Sequence, residues 1–182
     1  MNVLVAFASR LGSTEGIARS IADRLRARGV AVSVRAVGEI DDAARFDAAV
    51  VGSAVYAGNW MPAAVSFVHE NRATLADRPV WLFSSGPVGR TAAHARPSEP
   101  AEIHDLTASV HARDHRTFAG ALDRRTVDGS DLGFGERFIA KRFVPEGDFR
   151  DWRSIEGWAD DIADALLVGS GATDQRTRTE VS

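Results

Sequence analysis

The chain has 182 residues, enough for one well-filled core and too few for two comfortable domains. Lys and Arg number 22 against 25 Asp and Glu, a net charge of -3 with pI near 5.9, so no basic field marks a nucleic-acid binder and the balance points to a small-molecule partner. Cysteine is absent, which excludes disulfides, thiolate catalysis and Cys-ligated zinc or iron–sulfur centres and leaves any redox chemistry to a bound organic cofactor.

Val3 to Ala8 is a short apolar run, and an amphipathic helix follows from about Glu15. The run lacks a basic flank and has only the length of a strand, and no stretch approaches the ~20 apolar residues of a membrane span, so a soluble, cytoplasmic chain is expected. Between strand and helix lies the turn Ser9, Arg10, Leu11, Gly12, Ser13 and Thr14. A helix start offers unpaired N–H groups and a positive dipole end, the hydroxyls add neutral donors, and glycine permits close approach. Without GxGxxG or GxxxxGK[ST], the turn suits a monophosphate better than a dinucleotide or ATP, or else its hydroxyls simply cap the helix.

Ile17, Ile21 and Leu25, backed by Ala18 and Ala22, form the apolar face of the first helix, which Gly29 stops. Val30 to Val34 reads as an outer strand and Phe46 to Val51 as a strand covered on both faces, with loop or one short helix over Gly38 to Arg45. Pro62 opens a helix whose face continues through Ala64, Val65, Phe67 and Val68 toward Leu75. Pro79 to Phe83 supplies a fourth strand. Ser98 caps a helix carrying Ile103, Leu106 and Val110, and Thr117 to Leu122 supplies a fifth strand. A last helix follows Asp151 with Ile155, Trp158, Ala159, Ile162 and Leu166 on one side, and Gly169 to Ser182 is expected to be a disordered tail.

Strands alternating with helices predict an α/β fold, a doubly wound parallel sheet in the flavodoxin-like order 2-1-3-4-5 with helices on both faces, over residues 1–168. Ligands of such sheets bind outside the carboxyl ends of the strands, where the turns after strands one, three and four converge. The second turn holds Ser53, Ala54, Val55, Tyr56, Ala57, Gly58, Asn59 and Trp60, whose two aromatics could flank a planar ring or serve as packing anchors. The third holds Ser84, Ser85, Gly86, Pro87, Val88, Gly89 and Arg90, where two flanking glycines let backbone amides approach a flat heterocycle. Phosphate, ring and carbonyl edge together describe a cradle for FMN.

On these residues the chain resembles the flavodoxin superfamily, whose phosphate loop runs [ST]-x-T-G-x-T: Ser9, Gly12 and Thr14 match, and Leu11 stands where a threonine is usual, leaving backbone amides to replace its hydroxyl. VVGSAVYAGNW, SFVHENRATL, VWLFSSGPV and FAGALD are most similar to the quinone-dependent protoporphyrinogen dehydrogenases, a resemblance spanning roughly Met1 to Leu167. It implies bound FMN and a two-electron oxidoreductase, with a porphyrinogen or quinone as substrate. The alternative is an electron-transfer flavodoxin serving redox partner proteins. In either case the flavin carries the chemistry, with amides of Gly86 to Gly89 and the Arg90 charge at the N1/O2 edge of its ring and a carbonyl of Ala57-Gly58 accepting the N5 proton.

Residues 123–150 correspond to the insertion that such proteins carry after the fifth strand. Leu132, Phe134, Phe138, Ile139 and Phe143 with Arg137, Lys141 and Arg142 form an imperfect amphipathic helix, suited either to covering the sheet edge or to meeting a quinone, a tetrapyrrole or, transiently, a membrane surface. A homodimer is left open. Asp114, Asp123 and Asp128 intersperse Arg113, Arg116, Arg124 and Arg125, which argues against nucleic acid and leaves an anionic or propionate-bearing ligand open. The five histidines lack metal spacing: His111 and His115 straddle a helix-to-strand junction, His104 stands two turns from His111, and His69 faces solvent. A signalling domain of the same fold needs acids at the end of strand one, where Phe7-Ala8-Ser9 stands instead.

Overall fold

The computed structural model describes residues 1–86, 99–128, 133 and 145–179. Strands β1 (Asn2–Ala8), β2 (Ala31–Ala36), β3 (Ala48–Tyr56), β5 (Val80–Ser85) and β6 (Asp114–Phe118) form a parallel sheet in the order β2-β1-β3-β5-β6. The label β4 belongs to Asn59–Trp60, a two-residue arm folded back antiparallel on β3, so the order is the expected 2-1-3-4-5. A separate antiparallel pair joins β7 (Ala121–Leu122) to β8 (Gly147–Asp148).

The near-continuous apolar runs are the three inner strands. Those residues are buried along β1, β3 and β5, whereas the edges β2 and β6 alternate with exposed positions. Helix α1 (Ser13–Ala27) buries Ile17, Ala18, Ile21, Ala22 and Leu25 against one face of the sheet, together with Ile155, Trp158, Ala159, Ile162 and Leu166 of α6 (Trp152–Thr179). Arg24 and Arg28 reach across to Asp160 and Asp164, tying α1 to α6 on the outside. The other face is covered by α2 (Pro62–Glu70), α3 (Arg72–Ala76) and α4 (Ile103–Ser109), through Ala64, Phe67, Val68, Leu75, Ile103 and Leu106.

Helix α1 ends as the sequence requires: Gly29 adopts φ +83°, its N–H donates to Arg26 O and that of Val30 to Leu25 O, closing the last turn. The single helix expected from Pro62 to Leu75 divides at Asn71, whose side-chain amide donates to Phe67 O, and two short 3₁₀ turns (Val37–Glu39 and Ala43–Arg45) occupy the segment before β3. Helix α4 starts at Ile103; Ser98, the expected cap, lies outside the described residues.

Three boundaries differ from expectation. β3 runs on through Tyr56, so most of the expected second turn is strand and only Ala57-Gly58 turns. The fifth parallel strand is Asp114–Phe118, earlier and more polar than Thr117 to Leu122, because the free edge of β5 supplies a ladder that tolerates polar residues. The helix backbone of α6 continues to Thr179, past Gly169 where the apolar periodicity stops. No proline follows Gly169 to force an end. Of the insertion, α5 (Arg124–Asp128) and β8 are described, whereas Leu132, Phe134, Arg137, Phe138, Ile139, Lys141, Arg142 and Phe143 lie outside the described residues.

Candidate functional site

Ala8, Ser53, Ser84 and Thr117 stand side by side in the register of four strands, so the chain leaves β1, β3 and β5 at one edge of the sheet. Between β1 and β3 the crossovers part to opposite faces, and this switch point is where such sheets hold ligands. Side chains confirm the convergence: the Arg10 guanidinium lies 5.4 Å from the centroid of Tyr56, and the Ser13 hydroxyl is 3.3 Å from that of Ser85.

In the first loop the hydroxyls hold the loop, and the backbone is what faces outward. Ser9 Oγ accepts from Gly12 N at 3.1 Å, and Ser13 Oγ accepts from Ala121 N at 2.8 Å. Gly12 is the N-cap of α1 with φ +81°, and no side chain caps the helix. The first-turn N–H groups therefore point at the site with the positive end of the helix dipole behind them. Thr14 Oγ1 is fully buried without a hydrogen-bond partner, and it belongs to the matched threonine of the phosphate motif. Uncapped amides, an orphan hydroxyl and an adjacent arginine fit a phosphate monoester such as that of FMN.

The second loop is strained and tethered. Ala57 and Gly58 have φ of +50° and +81°, the two positive values of a type I′ hairpin turn, and an alanine there costs about 1 kcal/mol. Ala57 O accepts from Asn59 Nδ2 at 3.0 Å and Gly58 O from Ala101 N at 3.2 Å. Tyr56 remains half-exposed on the site, but Trp60 turns inward with only 3% exposure. Its indole N–H donates to Ser84 Oγ at 2.8 Å, so Trp60 packs beneath the turn and is no platform for a ligand ring. Ala54 is buried and Val55 half-buried, while Ser53 Oγ accepts from Met61 N and donates to Ala54 O.

In the third loop Ser84 is fully buried, sharing its hydroxyl between Trp60 and His115 Nε2 at 2.9 Å. Gly86, at φ +135°, donates its N–H to Phe118 O at 2.9 Å, so that amide extends the sheet edge rather than facing a ligand. Pro87, Val88, Gly89 and Arg90 lie outside the described residues.

Two residues escaped sequence reasoning. Arg150 donates to Ser13 O at 3.4 Å, pairs with Asp148 at 2.6 Å and stacks 4.3 Å from the centroid of Trp152, which sets the β7–β8 pair against the first turn of α1. A Cβ at Gly16 would collide with this guanidinium, and that glycine inside a helix was the available signal. His115 is the other, because an Asp-His-Arg stretch does not look like a strand. Burial pushes its imidazole below the ordinary histidine value, against Glu99 and Asp114, which favour the charged form. Among the described residues no group of His, Cys, Asp and Glu could hold a metal, and no helix is long and apolar enough to cross a membrane.

A family model described as the flavodoxin domain matches residues 4–145. No curated protein matches the chain in sequence. Among solved structures, the rubredoxin oxygen:oxidoreductase of Desulfovibrio gigas is similar at TM-score 0.59 and 14% identity over 92% of this chain, which spans only 36% of that protein. A mutant flavodoxin from Pseudomonas aeruginosa is similar at TM-score 0.57 and 16% identity, covering 92% of this chain and 99% of its own. A flavodoxin from the domain Archaea aligns at TM-score 0.52 and 19% identity, over 78% of this chain and the whole of its own. These likenesses establish the fold, and the family match covers most of the chain. The chain therefore belongs to the flavodoxin domain family, with FMN as its cofactor and flavin-based redox chemistry as its function.

Proposed function

We propose that the chain is an FMN-dependent oxidoreductase, similar to the quinone-dependent protoporphyrinogen dehydrogenases, whose cofactor binds where the segments Ser9–Thr14, Ser53–Trp60 and Ser84–Arg90 converge. The observation that carries this reading is the meeting of the three loops, through Arg10 on Tyr56 and Ser13 against Ser85. Bound FMN supplies a two-electron carrier. The amides of Ser13 and Thr14 would hold its phosphate, Tyr56 would cover the ring from the rim, and Ala57 O would accept a ring N–H. Val88, Gly89 and Arg90 are assigned to the N1/O2 edge by their place in the chain.

In each turnover a porphyrinogen loses two electrons and two protons, and a quinone gains both to become the quinol. The near-balanced charge of 22 basic and 25 acidic residues supports an enzyme over a carrier that docks by one-signed electrostatics. One observation favours the carrier: the Pseudomonas flavodoxin is matched over 99% of its own length. The test is anaerobic. Bleaching of the bound flavin by a porphyrinogen, then recovery of colour on adding a quinone, establishes the enzyme. Exchange with redox proteins alone establishes the carrier, and a purified protein that releases no FMN on denaturation sinks both.

A further inference from the structure

We propose that His115 is a positioning residue for the flavin ring: through Ser84 and Trp60 it holds the Ala57–Gly58 turn in place, and protonation of its imidazole loosens that hold. The inference rests on the placement of the ring at that turn under the preceding reading.

The direction of the hydrogen bonds makes the relay sensitive to a proton. An indole N–H can only donate, so Ser84 Oγ must accept from Trp60 at 2.8 Å, and its own hydrogen goes to another partner. With the imidazole neutral and its proton on Nδ1, His115 Nε2 at 2.9 Å accepts that hydrogen, the tautomer on which the relay depends. A protonated imidazole turns the same nitrogen into a donor. Two donors then converge on one oxygen, and the Ser84 hydrogen loses its acceptor at a fully buried position. Trp60 stands two residues from Gly58, on the arm paired with Val55 and Tyr56, so its displacement moves the turn. Other ties on the turn and its arm are the Trp60 amide to Glu102 Oε2 at 3.4 Å, the Gly58 carbonyl to Ala101, the Met61 amide to Ser53 Oγ and Asn59 Nδ2 to Ala57 O.

Among the described residues the charges that act on the imidazole are the carboxylates of Glu99, ahead of α4, and of Asp114, its chain neighbour, which is itself hydrogen-bonded to Arg116 and Trp158, and Leu82 opposite it on β5 is apolar. Burial opposes the proton and both carboxylates favour it, and the balance keeps the ring neutral to a lower pH than an ordinary histidine.

The test uses the full chain stripped of flavin. The indole N–H resonance of Trp60, assigned with W60F, is expected to move with the midpoint at which His115 titrates. FMN affinity is expected to fall by up to about tenfold for each pH unit below that midpoint. H115Q keeps an acceptor at the Nε2 position without a charge change and flattens the profile, and S84A flattens it with weaker binding throughout. An indole resonance indifferent to the titration of His115, or an H115Q profile with the wild-type midpoint, overturns the proposal. A chain that binds no FMN at any pH overturns the cofactor reading, whereas the indole resonance, read without flavin, still decides the relay.

Discussion

Gly52 and Ser53 are neighbours on β3, as Phe83 and Ser84 are on β5, and each pair sends one residue to each face of the sheet. On the α1 and α6 face, Gly52 leaves room for the Phe83 ring, which joins Phe118 and Trp158 with centroids 5.6–6.3 Å apart. One residue on, Ser84 points the other way to hydrogen bonds with Trp60 and half-buried His115, and Ser53 holds the Met61 amide. The dry side carries cohesion, and the polar side ties the arm that follows the Ala57–Gly58 turn to β5 and β6. Because the strand alternates with period two, the two tasks are separable by mutation at adjacent positions.

The sharpest challenge to that division is Gly52→Val. Its Cβ would overlap the Phe83 ring, and a loss of about 3 kcal/mol in urea denaturation is expected, with the protein partly unfolded at 37 °C. A loss below about 1 kcal/mol would mean the dry face yields freely and the contrast fails. Gly12→Ala comes next: at φ +81° the new Cβ meets open space but the backbone is strained, costing about 1–2 kcal/mol, and calorimetry should show FMN binding weakened by about tenfold. Trp60→Phe keeps the ring and removes the donor, for about 1 kcal/mol of stability, with the larger change in the absorption spectrum of the bound flavin. Equal stability losses for W60F and G52V would erase the distinction between the faces.

The smallest effect separates the faces along pH. Native His115 is held below 6.5 by burial, so the stability of its neutral form is intact above about pH 6.5 and is lost as pH falls toward the native value. For Asp114, burial disfavours the charge, but hydrogen bonds from Arg116 and Trp158 outweigh it and hold the carboxyl below 3.8. Its contribution is present above about pH 3.8 and lost as pH falls through the native value. Stability followed from pH 8 to 3 should therefore decline in two stages, and H115Q should remove only the first.

Strand order, the location of the three loops and the apolar faces of α1 and α6 were legible because they follow from periodicity and from where glycines and hydroxyls interrupt it. The direction of a side chain within a loop was not. Ser53, Ser84 and Trp60 look like ligand contacts in a turn-rich stretch, yet β3 continues through Tyr56, and register then sends them inward. Asp114 to Arg116 reads as a charged junction, and only pairing with β5 makes it a strand. Arg150 is far from Ser13 in sequence, and nothing local announces that the β7–β8 pair brings it back.

That small antiparallel pair has an architectural consequence. Residues 123–146 depart from Leu122 and return at Gly147, which are partners in one ladder, while Ala121 N is fastened to Ser13 of the phosphate loop. With both ends fixed, doubling the intervening length adds only about 0.6 kcal/mol of closure entropy. The pair therefore works as a socket beside the loop after β1, into which segments of different size and chemistry can be plugged while the loop itself stays fixed.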